Sequence, residues 1–357
     1  MNVEFDAIRT TIESVKIYSE ITAPSMRGLS ANVHYIEAGE YKQLTVDCMR
    51  PTYFDKVLVS SICGSLPATR YPFVPIASAR NLGRNCLYAF RRIYWAMSRP
   101  ICLSNPVLDM REFEPNNIAH LMVDVIPYYY FARGAIGSEI TAVFRSIREP
   151  FLSWLKLFNV SLICENRRMS GEIIKICGTR GLAVHDLLST FDCNGIQFFP
   201  DTYSKVTFAS DFGNERIFLA RRAPRNLQNQ AEVEELTREY GYSTVFMEDY
   251  SPNVQLGLAA QAKYVIALHG AAMSLLLLND RIESIIEIFP PNVYDRMFPA
   301  CLGRRVARYE QIVSDFDRRV AHSGWDVILS FKNQPFSVPL KLLQKLLSEI
   351  HGEEAAQ

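Results

Sequence analysis

The sequence has no apolar run that reaches the ~18 residues of a membrane-spanning helix. It also lacks a surplus of either charge, since 38 Lys and Arg residues balance 38 Asp and Glu residues. Nonspecific binding to nucleic acid requires a strong basic surplus, so we expect no nucleic-acid partner. The first residues, MNVEFDAIRTTIES, lack both the basic head and the apolar core of an export signal. These absences predict a cytoplasmic protein.

Paired cysteines are also missing. The eight cysteines of the 357-residue chain are widely scattered, and no two of them form a Cys-x-x-Cys pair. Without an export signal they are expected to be reduced thiols that mostly serve as small core residues. A chain of this length is typical of about two domains and can bury a sizeable core.

The most informative stretch alternates between buried strands and a helix. Tyr264–Leu268 is a short, β-branched and apolar run, as in a strand that is buried on both faces. His269-Gly270 ends this run, Ala271–Leu278 predicts a helix that is apolar nearly all round, and Ser284–Phe289 predicts a second buried strand. In a parallel sheet, His269-Gly270 would lie at the carboxyl end of a strand and just before a helix N-terminus.

Such a turn is suited to a phosphate group. Unpaired backbone N–H groups and the helix dipole favour an anion at a helix N-terminus. Gly270, Ala271 and Ala272 are small enough for a diphosphate to approach the backbone closely. A glycine turn with a buried histidine is the simpler interpretation of this motif alone.

The C-terminal part of the chain continues the same alternation. Strands are predicted at residues 217–220, 244–247, 264–268, 284–289 and 308–313, with helices between them. This β/α alternation predicts a doubly wound Rossmann-type domain. Residues 207–215 are polar and contain a glycine, which predicts a hinge between an N-terminal domain (1–212) and a C-terminal domain (213–357). Residues 338–350 predict an amphipathic helix that packs back on a domain surface.

A cluster of arginines follows the first of these strands. Arg221, Arg222 and Arg225 lie between a strand and a helix, and therefore at the same edge of the sheet as His269-Gly270. Guanidinium groups bind phosphate bidentately, so the two motifs point to one anion site. A solvated basic loop is the alternative.

Other polar residues near this edge have separate interpretations. Asn229 and Glu232 match a capping box for the helix that follows the arginines. Glu287, at the end of the strand after His269-Gly270, could accept hydrogen bonds from ribose hydroxyls. Asp315 and Asp317 resemble a metal-holding carboxylate pair, but they lie on a charged stretch beyond the predicted sheet, and we predict no metal site.

The N-terminal half contains one informative segment, EPNNIAHLMVDVIPYYYFAR at residues 114–133. It predicts a helix that begins after Asn117 and kinks or stops at Pro127. Asn117, His120 and Asp124 are spaced so that they share the less apolar face of this helix. Asp124 could then orient the imidazole of His120 and raise its basicity, as a general base requires. A purely structural His–Asp pair is the alternative.

Five arginines lie between Arg80 and Arg99 among aromatic and apolar residues. This pattern fits a basic face that contacts an anionic membrane or a lipid-linked substrate. It also fits an ordinary solvated helix face. The first interpretation would add peripheral contact with the inner face of a membrane.

Four segments of the chain resemble glycosyltransferase family 61. They are NIAHLMVDVIP, RRAPRNLQNQAEV, VQLGLAAQAKYVIALHGAAMSLLLL and IIEIFP. The first matches the family pattern Asn-x-x-His-x-x-x-Asp, and the second matches its pattern Arg-x-x-Arg-x-x-x-Asn followed by a helix. The sequence departs from the family pattern at Gln230, where the family commonly has Glu.

The resemblance implies an α/β fold with two Rossmann-like domains facing a cleft, which is the GT-B architecture. It places the nucleotide-sugar donor, expected to be a UDP-sugar, in the C-terminal domain, with no metal or other cofactor at the diphosphate. The implied activity is an inverting transfer of the sugar to a hydroxyl of a glycan or lipid-linked glycan. Bacterial capsule or lipopolysaccharide biosynthesis is the setting that such an activity suggests.

The resemblance also implies residue roles. His120, assisted by Asp124, is expected to deprotonate the acceptor hydroxyl, with Asn117 on the acceptor side. The expected donor site comprises Arg221, Arg222, Arg225, Asn229, His269, Gly270, Ala271 and Glu287. Two other classes stay open, namely a nucleotide-sugar epimerase, which would convert the donor alone, and a non-catalytic nucleotide-binding module.

Overall fold

A computed structural model describes most of the chain in segments. These are residues 15–23, 27–37, 40–49, 53–60, 99, 101–111, 113–136, 138–167, 169–178, 215–223, 226–279, 281–291, 297–302, 306–314 and 335–352. The chain divides into two compact units, one of residues 1–23 and 53–200 and the other of residues 24–52 and 201–357. The predicted boundary between residues 212 and 213 lies outside the described segments and stays a prediction.

The described segments form strands and helices in the following order. The strands are β1 Val15–Ala23, β2 Arg27–Glu37, β3 Glu40–Met49, β4 Tyr53–Ser60, β5 Ile101–Cys102, β6 Val107–Asp109, β7 Thr141–Phe144, β8 Leu162–Cys164, β9 Met169–Ser170, β10 Ile173–Gly178, β11 Arg216–Leu219, β12 Ser243–Val245, β13 Tyr264–Leu268, β14 Ser284–Phe289 and β15 Arg308–Val313. The helices are α1 (Ile118–His120, Leu121–Val125 and Ile126–Ile136 in succession), α2 Phe151–Leu157, α3 Gln230–Glu239, α4 Pro252–Gln261, α5 Met297–Leu302 and α6 Leu340–His351. Met247–Asp249 and Ala271–Leu278 are 3₁₀ helices.

The first unit is built on a six-stranded mixed sheet in the order β1-β4-β10-β6-β7-β8. Strands β10, β6, β7 and β8 run parallel, while β4 is antiparallel to both of its neighbours. In helix α1, every residue from Leu121 to Ala132 is buried except Asp124. On this helix, burial raises the pKa of Tyr130 to about 12, so its hydroxyl stays protonated and donates to the carbonyl oxygen of Phe158.

The second unit is built on a seven-stranded sheet in the order β12-β11-β13-β14-β15-β2-β3. All neighbouring strands are parallel except β2 and β3. The five strands from β11 to β15 thus lie in the spatial order second, first, third, fourth and fifth. This is the order of a doubly wound sheet whose switch point lies between its first and third strands. The alternation predicted for the C-terminal part is present in this sheet.

Both faces of this sheet are covered. Every residue of β14 is buried, as expected for the central strand of a parallel sheet that is covered on both sides. On one face, Ile266, Ile286 and Ile312 pack in a cluster with Leu343 and Leu346 of the terminal helix α6. The amphipathic helix predicted at the C-terminus therefore packs on this sheet.

The hairpin β2–β3 belongs to the second unit. β2 pairs in parallel with β15, and β3 forms the outer strand. The buried ring of His34 on β2 links the hairpin to β15, because its Nε2 donates to Oε2 of Glu310 at 2.5 Å. Its Nδ1 lies 2.7 Å from the hydroxyl of Tyr41 on β3. The hydrogen bonds of residues 27–49 therefore extend the sheet of the second unit.

Two helices differ in detail from the expectation. Ala271–Leu278 is helical and buried from Met273 onwards, but it is a 3₁₀ helix. Helix α1 does not stop at Pro127. It forms a π-helical turn at Leu121–Val125, in which the N–H of Ile126 donates to the carbonyl oxygen of Leu121, and then continues. We attribute this wider turn to Pro127, whose ring clashes with the preceding turn of a regular α-helix.

Some further expectations concern single residues or lie outside the described segments. Cys102 and Cys164 are free and exposed, so the expected core role is wrong for these two. The basic segment is described only at Arg99, and residues 207–214 of the predicted hinge are outside the described chain. No helix in the described part is long and apolar enough to cross a membrane.

Candidate functional site

The switch point of the second sheet brings two of the predicted phosphate-binding segments together. Strands β11 and β13 are adjacent and parallel, so both end at the same edge. The chain continues from β11 into Arg221 and Arg222, and from β13 into His269 and Gly270. Ligands of doubly wound sheets bind at such a point, beyond the carboxyl ends of the strands.

Arg221 contacts the turn at His269-Gly270 directly. Its Nη1 donates to the carbonyl oxygen of His269 at 2.8 Å. Its guanidinium lies so close to Gly270 that a Cβ there would be 2.5 Å from Nη1 and 2.8 Å from Cζ. Glycine is therefore required at position 270, because another group lies close to its backbone. In this structure that group is the guanidinium of Arg221, whereas the sequence suggested a diphosphate.

The 3₁₀ helix that follows adds backbone donors at the same place. Ala271 and Ala272 are its first two residues, and N–H groups at these positions have no partner within a helix. Both alanines are half-buried, so their N–H groups lie near the surface. Together with Arg221, these N–H groups place hydrogen-bond donors at this edge of the sheet.

The carboxylate of Glu287 holds the ring of His269. Nδ1 of His269 donates to Oε1 of Glu287 at 2.7 Å. Oε2 of Glu287 accepts hydrogen bonds from the hydroxyl of Tyr309 at 2.7 Å and from Nε2 of Gln311 at 3.1 Å. Because Glu287 is 0% exposed, its carboxylate does not face a ribose, which is the contact that the sequence suggested.

Arg222 is paired with acidic residues of the segment that follows β12. Its Nη2 donates to Oδ2 of Asp249, and its Nε lies 3.8 Å from Oε1 of Glu248. Its guanidinium also stacks on the ring of Phe246, with 4.3 Å between Cζ and the ring centroid. Arg222 is more than half exposed, so a diphosphate could reach it only in competition with these carboxylates.

An open groove of about 440 Å³ lies beside the two arginines. Its lining consists of Arg221, Arg222, Ala223, Asn226, Gln230, Ala231, Glu234 and Phe246. The predicted arginine loop therefore borders a concave surface, which extends from the switch point along the start of helix α3.

Asn229 has a structural role. Its Nδ2 donates to the carbonyl oxygen of Val338 at 2.9 Å, and its Oδ1 accepts from the N–H of Val338 at 2.9 Å. The whole amide is thus paired with the backbone of one residue, and a donor contact through it would have to break this pairing. The predicted capping box with Glu232 is wrong, because Asn229 makes no side-chain capping bond to α3. Arg225 lies outside the described residues.

The first unit carries the predicted His–Asp pair on helix α1. Nδ1 of His120 donates to Oδ2 of Asp124 at 2.9 Å, and the two side chains are 42% and 15% exposed. Because the carboxylate accepts at Nδ1, Nε2 is the ring nitrogen left to take up a proton. The Oδ1 of Asn117 accepts from the N–H of Ala119 at 2.9 Å, so Asn117 caps the helix that carries the pair.

The described residues contain no group of three or more His, Cys, Asp or Glu side chains that could hold a metal ion. Asp315 and Asp317, which resemble a metal-holding pair, lie outside the described segments.

Sequence reasoning missed several side chains that contact the site, among them Tyr309, Gln311 and Asp249. Glu287 interrupts the apolar run of the strand SIIEIF, and Gln311 is a polar residue in the buried strand RYEQIV. A polar residue in a buried strand is costly unless it is hydrogen-bonded, so these two residues are the signal that could have linked the two strands. Nothing in the local sequence links Asp249 to Arg222.

Residues 118–281 match the model of a family described as Glycosyltransferase 61. The matched range contains the His120–Asp124 pair, Arg221, Arg222 and the His269-Gly270 turn, and it ends before Glu287. No curated protein matches the chain. The family match supports glycosyltransferase family 61, and with it a transferase, for this chain.

Proposed function

We propose that the chain is an inverting glycosyltransferase of the GT-B type. It transfers a sugar from a nucleotide sugar, in the first place a UDP-sugar, to a hydroxyl of a glycan or lipid-linked glycan. The observation that carries this proposal is the contact of Arg221 with the His269-Gly270 turn at the switch point of a doubly wound sheet. Cytoplasmic polysaccharide biosynthesis of the capsule or lipopolysaccharide type is the proposed setting.

The donor chemistry follows from the charges at this edge. A nucleoside diphosphate gains negative charge as its bond to the sugar breaks, and preorganised donors stabilise that charge most effectively. Arg221 and the first N–H groups of Ala271–Leu278 are such donors, and the hydrogen bond to His269 fixes Arg221 before a donor arrives. Residues 221–222 and 269–271 therefore form the proposed diphosphate site.

The acceptor chemistry is assigned to His120 and Asp124. Nε2 of His120 takes the proton of the acceptor hydroxyl as the hydroxyl oxygen bonds to the anomeric carbon and the bond from that carbon to the diphosphate breaks. The carboxylate of Asp124 holds Nδ1–H and stabilises the imidazolium that forms. A single displacement of this kind inverts the anomeric configuration.

The proposed diphosphate site needs no metal ion. The positive charge that a divalent cation would supply comes from Arg221 and from the backbone donors of the 3₁₀ helix. Sugar transfer should therefore persist in an excess of EDTA. Loss of activity in EDTA and its recovery with Mn²⁺ or Mg²⁺ would contradict this part of the proposal.

A ligand screen tests the donor site directly. UDP-, GDP- and TDP-sugars carry the diphosphate that the site is proposed to bind, whereas CMP-sugars carry one phosphate and serve as the matched control. A donor at 100 times its Kd should stabilise the fold by about 2.7 kcal/mol, which a thermal-shift assay detects. If none of the diphosphate donors raises Tm above the CMP-sugar control, the proposed site is wrong.

Product analysis separates transfer from the two other classes. The donor that binds is incubated with and without a mixture of glycan acceptors. A glycosyltransferase releases nucleoside diphosphate and gives a longer glycan only when an acceptor is present. An epimerase gives a second nucleotide sugar without any acceptor, and a binding module leaves the donor unchanged.

A further inference from the structure

A buried carboxylate contacts the histidine of the proposed diphosphate site. Glu287 lies within strand β14, in the run SIIEIF, and its side chain is 0% exposed. An ionised carboxylate at such a position is strongly unfavourable unless it is paired and hydrogen-bonded. Its partners therefore indicate what it does.

The carboxylate of Glu287 accepts hydrogen bonds from three side chains. Oε1 accepts from Nδ1 of His269 at 2.7 Å, and Oε2 accepts from Tyr309 at 2.7 Å and from Gln311 at 3.1 Å. The strand register explains this set, because Glu287 is opposite Gln311 in the parallel pair β14–β15 and Tyr309 precedes Gln311 by two residues on the same face. Glu287 is thus fixed by the neighbouring strand and in turn fixes His269.

Other contacts restrain the same imidazole. Its ring stacks on Phe289, with 4.6 Å between centroids and 22° between planes, and it meets the edge of Phe298 at 6.1 Å. The backbone of His269 is held by Arg221 at its carbonyl oxygen and by the carbonyl oxygen of Ile288 at its N–H. The side chain is nevertheless 23% exposed. Because Nδ1 points to a fully buried carboxylate, the exposed edge is the one that carries Nε2.

We propose that Glu287 is a positioning residue that holds His269 with Nδ1–H towards the protein and Nε2 towards the bound diphosphate. A neutral ring held this way has no hydrogen on Nε2, so it hydrogen-bonds to a phosphate oxygen only after Nε2 takes up one proton from solvent. Nucleoside diphosphate therefore binds together with one proton. This role rests on the proposed diphosphate site. It adds that His269 takes up one proton when the diphosphate binds there.

The charged and titratable groups that face His269 come from several elements. Glu287 faces it from β14, and Tyr309 from β15 contacts the same carboxylate. Arg221 reaches it from the loop after β11 at the backbone carbonyl. The segment that follows, Ala271–Leu278, contains no titratable side chain, and α5 contributes the neutral ring of Phe298. Once the diphosphate is bound, the imidazolium lies between it and Glu287.

Calorimetry with UDP as the probe measures the proton directly. Titrations in two buffers of different ionisation enthalpy, at a pH well above the value of about 6 at which a terminal phosphate ionises, give the protons taken up per UDP bound. Three proteins are compared, namely the wild type, Glu287→Gln and Glu310→Gln. Glu310 is the matched control, because it is a buried carboxylate of the same sheet that also accepts from a histidine, His34, but it does not contact His269.

The wild type and Glu310→Gln should each take up close to one proton per UDP. Glu287→Gln should take up none, because the new amide can donate to Nδ1 while its oxygen still accepts from Tyr309 and Gln311. The ring would then carry its hydrogen on Nε2 before UDP arrives. Equal proton uptake in Glu287→Gln and the wild type, or UDP binding to the wild type without proton uptake, would overturn the role of Glu287 and leave the glycosyltransferase proposal intact. Absence of binding by UDP, GDP and TDP would overturn the diphosphate site itself, and this role with it.

A spectroscopic test needs no variant at Glu287. Long-range proton–nitrogen NMR of histidine-labelled protein, with His269→Gln used to assign the resonance, reports which ring nitrogen of His269 is protonated. The free protein should show the Nδ1–H tautomer, and the UDP complex should show both nitrogens protonated. An Nε2–H tautomer in the free protein, or a ring that stays neutral with UDP bound, would overturn the proposal.

Discussion

The guanidinium of Arg221 occupies the space that a side chain at position 270 would need. A Cβ built on Gly270 would lie 2.5 Å from Nη1 and 3.3 Å from Nη2 of Arg221, distances at which one group must move. The backbone of Gly270 is extended, so this close approach is what requires glycine at this position. The absence of a side chain at Gly270 thus allows the guanidinium of Arg221 to lie against the backbone of the His269-Gly270 turn.

Gly270→Ala should weaken nucleoside diphosphate binding while preserving the fold. The atoms that clash belong to the far end of a flexible side chain, so Arg221 can move aside at little cost in stability. Its charge then leaves the proposed site. Loss of a hydrogen bond to a charged group costs about 1.5–3 kcal/mol, or roughly a 10- to 150-fold increase in Kd, which titration calorimetry with UDP measures.

A double-mutant cycle checks the cause of this effect. If Gly270→Ala acts by displacing Arg221, it should change the Kd little in a protein that already carries Arg221→Ala. Additive effects of the two substitutions would show that Gly270 matters for another reason.

Asp249→Asn should strengthen binding of the diphosphate. In the free protein Arg222 forms ion pairs with Asp249 and Glu248. Neutralising Asp249 removes one of these competing carboxylates, so a ligand phosphate can pair with Arg222 more readily. Exposed ion pairs are worth about 0.2–1 kcal/mol, which predicts a fall in Kd of up to about fivefold. The gain should shrink at high salt, and calorimetry at two ionic strengths measures both effects.

Glu235→Gln is the control for this prediction. Glu235 forms a similarly exposed pair with Arg238 on helix α3, at 3.7 Å, and neither residue contacts the proposed site. Its neutralisation changes the net charge by the same amount but should leave the Kd unchanged. A higher Kd for Asp249→Asn than for the wild type would mean that Asp249 holds Arg222 in its binding position.

Local patterns in the sequence predicted the elements at the switch point well. The strand Tyr264–Leu268 has the predicted bounds, because its β-branched run is bordered by a turn on the carboxyl side. His120 and Asp124 meet as predicted, because helical spacing alone brings residues four apart together. Such contacts depend on a few neighbouring residues, and the sequence displays them directly.

Contacts between distant segments could not be predicted in the same way. Asn229 has the composition of a helix cap, yet its amide pairs with Val338, which is 109 residues away. Glu287 meets Tyr309 and Gln311 only through the register of two strands. The hairpin β2–β3 pairs with a strand more than 270 residues later in the chain. Sheet register and strand order decide these contacts, and neither is visible in local patterns.

The stability of the second unit should depend on pH through His351. This residue lies at the end of helix α6, where the hydroxyl of Tyr242 donates to its Nε2 at 2.9 Å. Burial, together with the charge of Arg216, lowers the pKa of His351 from 6.5 to about 4. The unfolded chain therefore binds the proton more readily, so the stability that neutral His351 contributes is complete above pH 6.5 and is lost as the pH falls towards 4.

His351→Gln should flatten this dependence. Between pH 6.5 and about 5, where most carboxylates are still ionised, Tm should fall more steeply for the wild type than for the variant. Differential scanning calorimetry over this range measures both slopes. Equal slopes would mean that protonation of His351 does not oppose folding.

The last prediction concerns the general base. His120→Ala and Asp124→Asn should each lower kcat for sugar transfer, and loss of a general base typically reduces the rate by about 10²–10⁴-fold. Binding of UDP should hardly change, because both residues lie on helix α1 of the first unit and the proposed diphosphate site lies in the second. Turnover with the donor and acceptor found by screening, and calorimetry with UDP, measure the two effects separately.

The pairing of His120 with Asp124 also predicts the kcat of the double variant. If Asp124 acts only by orienting the ring through Nδ1, the double variant should be little slower than His120→Ala alone, since residues that act as a unit are not additive. Tyr130→Phe is the control for structure, because it removes the buried hydrogen bond from the same helix to the carbonyl oxygen of Phe158 and should lower Tm while kcat of the folded protein stays high. A purely structural His–Asp pair predicts the reverse for His120→Ala, with a lower Tm and full turnover of the folded fraction. Full turnover in well-folded His120→Ala would exclude His120 as the base, and Asp124→Asn would then show whether the carboxylate takes the proton itself.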